Sequence, residues 1–246
     1  MCHPFFAASR PLVFAHRGGS ALAPENTIEA FDNGLRLGAD GLELDVHLSR
    51  DGDVMVHHDR TLERTTVLRG PIADRTTGEL TRVNVPALAD VLARYRDVRI
   101  IVELKVNSAE LATAAVGAVR RAEAVDRVCF GSFGRRVLRA VRALEPAVAT
   151  SAAREEVRWA LYRSWCRWPV SRVAYDGYQI PEWSGRTHVV SPRFVECSHR
   201  AGLGVQVWTV DREDDARRLL EWGVDALITD RPDIIVPLVQ ASRPVS

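Results

Sequence analysis

The stretch VFAHRGG at residues 13–19 places a short apolar run directly before a histidine, an arginine and two glycines. The stretch PENTIEAF at residues 24–31 follows and begins a helical pattern after its proline. Together they predict a strand, a sharp turn that glycine permits, and a helix. Histidine exchanges a proton near neutral pH, and arginine binds oxyanions through two parallel hydrogen bonds. The junction of this strand and helix is therefore a candidate site for acid–base chemistry on an oxyanion.

Apolar runs of strand length alternate with amphipathic segments of helical period along nearly the whole chain, which is typical of βα units around a parallel sheet. The predicted strands are Pro11–His16, Gly41–Leu48, Arg99–Lys105, Arg127–Phe133, Ala147–Ser151, Val173–Ile180, Gly204–Val210 and Asp225–Thr229. The clearest predicted helices are Thr27–Leu37, Ala109–Glu123, Arg135–Leu144, Glu155–Trp165 and Glu213–Trp222. Eight such units in 246 residues predict one closed (β/α)8 TIM-type barrel that spans residues 1–246. An open doubly wound sheet is the alternative, because periodicity does not show closure.

One region interrupts this alternation after the second strand. Asp51 and Gly52 predict a tight turn, and Val54–Asp59 is predicted to be the return arm of a hairpin. The following segment, Arg60–Val85, is rich in Thr, Arg and Gly and shows no clear period. We expect a loop-like insertion here, at about residues 59–86, near the mouth of the barrel.

The composition argues against several classes of protein. A formal net charge of +1, without a long run of like charge, is not typical of a nucleic-acid binder. The first ten residues lack the features of a secretory signal, and no apolar stretch has the length of a membrane span, so we expect a cytoplasmic protein. The widely spaced cysteines predict reduced, mostly buried thiols rather than disulfides or a zinc site. They are Cys2, Cys129, Cys166 and Cys197.

Three carboxylates lie near the ends of two predicted strands. Glu43 and Asp45 alternate with apolar residues, so both point to the same side of one strand, about 6–7 Å apart along it. Glu103 occupies a similar place in the apolar run that leads to Lys105. Oxygen donors without a thiolate predict a hard divalent cation, Mg²⁺ or Ca²⁺. The alternative is that these acids pair with Lys105 or with arginines on a wet strand face.

Other side chains that could take part in catalysis or ligand binding lie near the ends of these predicted strands. His58 ends the hairpin arm and could be either an acid–base group or a hydrogen-bonded rim histidine. Lys105 could contact an anion beside a metal ion, or could only neutralise Glu103. Trp208, near the end of the seventh strand, could form a ligand-binding wall or cap the barrel core.

Two further features are better explained by structural roles than by catalysis. His47 and His57 are weaker candidates for a catalytic role than their neighbour His58. His57 points to the opposite side of the hairpin arm, and His47 is not part of any of the motifs recognised along the chain. The run Trp159–Trp168 interleaves aromatic residues with arginines. We expect it to pack as a helix and its exit loop, with a lipid- or partner-facing surface as the alternative.

Taken together, these motifs resemble the glycerophosphodiester phosphodiesterase family. In chain order they are HRG at 16–18, PENT at 24–27, ELD at 43–45, HD at 58–59, RTT at 64–66, ELK at 103–105, VWTV at 207–210 and ITDRP at 228–232. The similarity covers most of the chain and is weakest from about Ala152 to Ser171. It implies a TIM-type barrel with a small insertion after the second strand.

The resemblance also implies a function and roles for the site residues. One divalent cation would be held by Glu43, Asp45 and Glu103, while His16 and His58 would act as base and acid. Arg17 and Lys105 would offset charge on the phosphoryl oxygens, and Trp208 would contact the substrate. The implied reaction is hydrolysis of a small-molecule glycerophosphodiester to glycerol 3-phosphate and an alcohol, through attack of the neighbouring glycerol hydroxyl.

Several alternatives stay open at this point. A lysophospholipase D would keep the barrel and the metal but act on a lipid that retains one acyl chain, and Trp183 with the run Trp159–Trp168 would be its only hints. A non-catalytic barrel would be favoured if the acids or histidines were missing, and none is. A sugar isomerase or aldolase of the same fold is disfavoured by the paired histidines with their HRG and ELD motifs. The alcohol that leaves, the identity of the ion and the oligomeric state are not predicted.

Overall fold

Buried apolar runs form the strands, and the segments of helical period form the helices that cover them. A computed structural model describes residues 3–166, 168–169 and 173–241. Its strands are β1 Leu12–His16, β2 Gly41–Leu48, β3 Val54–Val56, β4 Arg99–Leu104, β5 Val128–Gly131, β6 Ala149–Thr150, β7 Gly177–Pro181, β8 Trp183–Ser184, β9 Thr187–His188, β10 Gly204–Trp208 and β11 Ala226–Thr229. Its α-helices are α1 Ile28–Arg36, α2 Thr77–Thr81, α3 Leu88–Arg94, α4 Ala109–Arg121, α5 Arg135–Leu144, α6 Arg154–Cys166, α7 Pro192–Arg200, α8 Glu213–Glu221 and α9 Pro232–Ala241.

Eight of these strands form a parallel, nearly closed barrel. The hydrogen-bonded order is β6, β5, β4, β2, β1, β11, β10, β7. The seam between β6 and β7 is bridged by one isolated parallel pair, Ser151 and Gly177. Strand β3 lies outside the barrel and pairs antiparallel with the end of β2. The predicted (β/α)8 barrel is therefore confirmed, and the open doubly wound sheet is wrong.

The barrel has an inner and an outer apolar core. The outer core joins the strands to the surrounding helices, while a smaller inner cluster fills the barrel itself. Phe6 lies in this inner cluster at the amino ends of the strands, where a Cβ atom on Gly177 or Gly204 would approach its ring to 2.5 or 2.7 Å. Trp208 packs against the same cluster. The interior is thus filled by side chains, and the carboxyl ends of the strands are left to form a site.

The segment between β3 and α3 has its own small core, unlike the loop-like insertion that the sequence predicts. Its buried residues are Met55, Leu62, Ile72, Leu80 and Val85. It contains a short 3₁₀ helix at Ile72–Asp74 and helix α2. Thr76 and Glu79 form a reciprocal capping box at the start of α2. These elements give the segment a defined shape beside the barrel.

Several details of the sequence prediction are wrong. Strand β7 begins at Gly177 instead of Val173, and helices α2, α3, α7 and α9 are additional to the clearest predicted ones. Of the cysteines in the described ranges, all of them free, Cys129 is buried, Cys166 is exposed and Cys197 is intermediate, so the expected burial is wrong for two of three. Cys2 lies outside the described residues. Within these ranges no helix has both the length and the apolar character that crossing a membrane requires.

Helix α1 packs so closely on β1 that Gly34 has no room for a side chain. A Cβ atom there would lie 2.7 Å from the Ala15 Cβ atom and 2.8 Å from the Gly18 carbonyl oxygen. We expect Gly34→Ala to lower the free energy of unfolding by about 1–3 kcal/mol, the usual cost of overpacking. Denaturant unfolding of the variant and the wild type measures this change in the free energy of unfolding. Gly117→Ala in α4 is the matched control, because only the flexible Arg121 guanidinium approaches that position, and we expect a gain of about 0.5–1 kcal/mol. Equal stability of Gly34→Ala and wild type would contradict the close packing.

Candidate active site

The carboxyl ends of the barrel strands surround a cavity of about 810 Å³. This volume is within the range of small-molecule sites, about 300–1,000 Å³. All the site residues that the sequence predicts line this one cavity: His16, Arg17, Glu43, Asp45, His58, Glu103, Lys105 and Trp208. The barrel thus brings together residues from β1, β2, β4 and β10 and from the loop after β3.

Strand register assembles the three carboxylates. His16 lies beside Glu43 across β1 and β2, and Asp45 lies beside Glu103 across β2 and β4. One oxygen from each of the three acids lies within 4.8 Å of the others. Glu43 and Asp45 are only 4% and 1% exposed. Such a cluster could hold a metal ion, and its all-oxygen donor set fits a hard divalent cation.

The pKa values of the acids reflect the crowding of negative charge. Burial and the neighbouring Asp45 raise the pKa of Glu43 to about 8. Burial also raises the pKa of Glu103, although Lys105 opposes it. The pKa of Asp45 is lowered, because Lys105 and Arg17 outweigh the effect of its burial. A cation beside Glu43 would relieve this repulsion between carboxylates. The cluster therefore favours metal binding on electrostatic grounds.

Lys105 bridges two of the three acids. Its Nζ atom lies 3.2 Å from Asp45 Oδ1 and 3.2 Å from Glu103 Oε1. These two carboxylates raise the pKa of Lys105 against the effect of burial, so it stays charged. The alternative expectation, that the acids pair with Lys105, therefore also holds for Asp45 and Glu103. It does not extend to Glu43, whose Oε2 atom lies 3.1 Å from the Arg17 backbone nitrogen, which donates to it.

The turn after β1 has an unusual backbone that aims Arg17 at the acids. Arg17 has a φ of +51° and Gly18 a φ of +87°. A Cβ atom on Gly18 would lie 2.6 Å from the Ala30 carbonyl carbon, so only glycine fits there. The Arg17 Nε atom lies 3.2 Å from Asp45 Oδ2 but is not aligned for a hydrogen bond. Asn26, also at positive φ, donates from Nδ2 to the same Asp45 oxygen at 3.0 Å.

His16 is supported by a carboxylate from the opposite end of the chain. Its Nδ1 atom lies 2.7 Å from Asp230 Oδ1, and its Nε2 atom lies 3.7 Å from Glu43 Oε2. Ser20 donates to the same Asp230 oxygen at 2.6 Å. Burial disfavours the imidazolium, but Glu43 and Asp230 outweigh it and raise the pKa of His16 to about 9. Asp230 orients His16, and the ITDRP motif is the sequence signal that could have identified it.

His58 is supported in the same manner. Its Nδ1 atom lies 2.6 Å from Asp59 Oδ1. Arg64 donates to the other Asp59 oxygen, and this contact holds the pKa of Asp59 well below its usual range. Arg64 also donates two hydrogen bonds to Glu25, at 2.8 and 2.7 Å. Because Arg17 donates to Glu25 as well, at 3.1 Å, the turns that carry the two histidines are tied together.

The two neighbouring histidines have structural contacts. His47 Nε2 lies 3.1 Å from the His58 carbonyl oxygen, and His57 Nε2 lies 3.1 Å from the Thr61 carbonyl oxygen. Both are buried, and burial lowers the pKa of each. Neither lines the cavity, in agreement with their place as weaker candidates.

Aromatic side chains form the far wall of the cavity. Trp208 lies edge-on to Phe133, with ring centroids 6.0 Å apart. Since Trp208 also packs on the inner barrel cluster, it both caps the core and faces the cavity. Trp183, on the small hairpin of β8 and β9, stacks on His188 at 4.1 Å and also lines the cavity.

The expected packing of the Trp159–Trp168 run is wrong for its aromatic residues. Trp159, Tyr162, Trp165 and Trp168 are 65%, 49%, 57% and 59% exposed. Helix α6 buries only small or aliphatic side chains against the barrel: Ala160, Leu161 and Ser164. Its aromatic residues are therefore exposed, and Arg167 lies outside the described residues.

The contact between His16 and Asp230 predicts the effect of one substitution. We expect Asp230→Asn to lower kcat by about 10–100-fold with little change in KM, because His16 loses the carboxylate that fixes its ring. Asp225→Asn is the matched control, since Asp225 contacts His199 in a carboxylate–histidine pair that does not line the cavity. Steady-state kinetics would measure both variants. Equal kcat for Asp230→Asn and wild type would show that His16 needs no such support.

Fold and site together define a (β/α)8-barrel protein with two carboxylate-supported histidines beside a carboxylate cluster. Residues 16–234 match the Glycerophosphoryl diester phosphodiesterase family. The chain belongs to this family, which confirms the resemblance that its motifs predict.

Individual relatives agree in length and shape. The chain is 30% identical to a glycerophosphodiester phosphodiesterase of Caldanaerobacter subterraneus subsp. tengcongensis, over 94% of this chain and 98% of that protein. A crystal structure of a glycerophosphodiester phosphodiesterase from Agrobacterium tumefaciens superposes with a TM-score of 0.77 at 28% identity, covering 92% and 99% of the two chains. A phosphodiesterase from Oleispira antarctica, solved in complex with the product sn-glycerol-3-phosphate, superposes with a TM-score of 0.76 at 27% identity, covering 94% and 97%.

Proposed function

We propose that this protein is a metal-dependent phosphoric diester hydrolase that converts glycerophosphodiesters to glycerol 3-phosphate and an alcohol. The observation that carries the proposal is the cavity in which two carboxylate-supported histidines and three clustered acids meet. Membership of the family supports it, as does the product bound to the Oleispira antarctica relative.

The two histidines divide the proton transfers between them. His16 takes the proton of the glycerol hydroxyl that attacks phosphorus, and His58 gives a proton to the oxygen of the departing alcohol. One P–O bond forms and one breaks, which leaves a cyclic phosphate. Water then opens this ring by the reverse transfers, with His58 accepting its proton and His16 protonating the released glycerol oxygen. Asp230 and Asp59 hold the two rings at Nδ1, so that Nε2 of each serves as the reacting nitrogen.

Glu43, Asp45 and Glu103 are the residues that would hold one divalent cation, Mg²⁺ or Ca²⁺. When bound, the cation offsets negative charge on the phosphoryl oxygens. Offsetting the charge of Glu43 would also lower the raised pKa of His16 toward neutrality, as a general base requires.

Arg17 and Lys105 supply the remaining positive charge. Both line the cavity and both already lie within 3.2 Å of Asp45 oxygens, so their positions are fixed before substrate arrives. Such preorganised cations favour the extra charge of the phosphorane-like transition state over the ground state.

A lysophospholipase D is a second candidate, because the outer part of the cavity is apolar. Its aliphatic and aromatic lining includes Phe133, Val157, Leu161, Ile180 and Val189. Helix α6, which carries exposed aromatic residues, supplies Val157 and Leu161 to this lining. An acyl chain left on the substrate could therefore lie here while its phosphodiester reaches the same histidines.

A substrate panel separates these functions. Glycerophosphocholine, glycerophosphoethanolamine, glycerophosphoinositol and lysophosphatidylcholine are each incubated with Mg²⁺, with Ca²⁺ and with chelator, and released glycerol 3-phosphate or lysophosphatidic acid is measured. We expect metal-dependent release of glycerol 3-phosphate. Turnover confined to lysophosphatidylcholine would favour the second candidate. No turnover of any member with either ion would contradict both.

A further inference from the structure

Two arginines of helix α6 line the cavity without a carboxylate partner. They are Arg154 and Arg158, four residues apart and therefore on the same face of the helix. Among the described residues, no carboxylate oxygen lies within 4.0 Å of either guanidinium. The neighbouring Arg142 differs, because it is paired with Glu156 at 2.9 Å. The cavity thus presents two cations that no acid of residues 3–166, 168–169 and 173–241 neutralises.

Contacts connect Arg154 to the reacting end of the cavity. Its guanidinium carbon lies 4.9 Å from the centre of the Phe133 ring, and its backbone nitrogen donates to the Phe133 carbonyl oxygen at 3.3 Å. Phe133 in turn contacts Trp208. The rings of Trp208 and Phe133 thus connect the end of β10 with the first turn of α6. Arg154 is therefore held in place by a cation–π contact and not by an ion pair.

The departing alcohol is the part of the substrate that can reach these arginines. The glycerol moiety must stay at the histidines, because its own hydroxyl attacks the adjacent phosphorus. A cavity of about 810 Å³ leaves room beyond the phosphodiester for a larger alcohol. Two unpaired guanidinium groups attract an anionic substituent there and repel an ammonium group such as that of choline or ethanolamine.

We propose that Arg154 and Arg158 form a specificity subsite for an anionic group on the leaving alcohol. The preferred substrates are glycerophosphodiesters whose alcohol carries a second phosphate or a carboxylate. This inference rests on the proposed phosphodiesterase function and names the substrate class within it. A phosphate suits the subsite best, because it carries about 1.5–2 negative charges near pH 7 and accepts paired hydrogen bonds from arginine.

A matched pair of substrates tests the subsite. We expect wild-type enzyme with its metal ion to show a kcat/KM for glycerophosphoinositol 4-phosphate at least about tenfold above that for glycerophosphoinositol. Arg154→Gln and Arg158→Gln should each lower this ratio about threefold, and the double variant should bring it close to one. The ratio should also fall as NaCl is raised, because exposed charges are screened. Arg139→Gln is the control, since Arg139 is exposed on α5 and does not line the cavity.

The outcomes separate failure of the subsite from failure of the proposed function. A wild-type ratio near one, or a ratio that the α6 variants leave unchanged, would overturn the subsite while turnover of both substrates upheld the phosphodiesterase. No turnover of either substrate by an enzyme that hydrolyses glycerophosphocholine would overturn the subsite alone, and no turnover of any of these diesters would overturn the function and the subsite together. Lysophosphatidylinositol and its 4-phosphate form a second pair. A preference in the free pair supports the subsite for water-soluble diesters, and a preference confined to the acylated pair overturns that assignment.

Discussion

Glu43→Gln is expected to abolish turnover and metal binding while leaving the barrel folded. Glu43 is buried, and its burial together with the neighbouring Asp45 raises the pKa of its carboxyl in the metal-free protein. The neutral amide is nearly isosteric with the carboxyl group and removes a charge that burial disfavours, so the metal-free fold should lose little stability. Turnover should fall at least about 10³-fold, because a cation contributes several kcal/mol of transition-state stabilisation. Asp45→Asn should have the same effect on turnover.

Thermal unfolding with and without divalent ion distinguishes lost binding from lost structure. Wild-type protein should gain stability with Mg²⁺ or Ca²⁺, since a ligand of the native state raises the Tm, and Glu43→Gln should not. Glu110→Gln is the control, because Glu110 is an exposed carboxylate in the first turn of α4 and lies outside the cluster. Full activity of wild-type protein in metal-free buffer would contradict the metal site.

Loss of either histidine is expected to lower kcat about 10²–10⁴-fold, and the leaving group should tell their roles apart. If His58 protonates the departing alkoxide, His58→Ala should impair choline and ethanolamine diesters but spare the 4-nitrophenyl ester of glycerol 3-phosphate. A phenolate needs little protonation to leave. His16→Ala should impair all of these substrates, because the attacking hydroxyl must lose its proton whichever group departs.

Steady-state kinetics of both variants on both kinds of diester measures this difference. His199→Ala is a useful control, since His199 is an exposed histidine of α7 that pairs with Asp225 and does not line the cavity. Recovery of His16→Ala by the good leaving group would reverse the two roles. Near wild-type turnover of an ordinary diester by either variant would make that histidine structural.

The barrel is predictable from sequence because its strands are continuous apolar runs. The observed β2 and α5 have the predicted bounds, Gly41–Leu48 and Arg135–Leu144. The junction between β6 and β7 is less predictable from sequence. The Val173–Ile180 run is apolar enough for a longer strand, but the Asp176 side chain accepts from the Thr150 backbone nitrogen at 2.9 Å. This contact between distant parts of the chain has no sequence signal, and β7 begins directly after it, at Gly177.

The site residues are likewise predictable where the signal lies within one strand, and unpredictable where two partners are distant in sequence. Alternation along β2 predicts that Glu43 and Asp45 share a face, and strand-end positions predict that Glu103 joins them. The support of His16 by Asp230 comes from 214 residues away, and no local pattern encodes that distance. Helix α2 is different, because the T-x-x-E signal at residues 76–79 is local and predicts a helix start. The roles of base and acid came from the family resemblance and not from the pattern.

The pairing of β1 with β11 has a consequence for how the enzyme is made. Leu12 to Ala15 of β1 lie beside Ala226 to Thr229 of β11, so the first barrel strand meets the last. A ribosome adds about 5–20 residues per second, and the partner of His16 is therefore translated roughly 10–40 s after it. During this interval the nascent chain has the histidine but neither its carboxylate nor one neighbouring strand. Catalytic competence should consequently arise late in synthesis, after the chain has already committed most of its helices and strands.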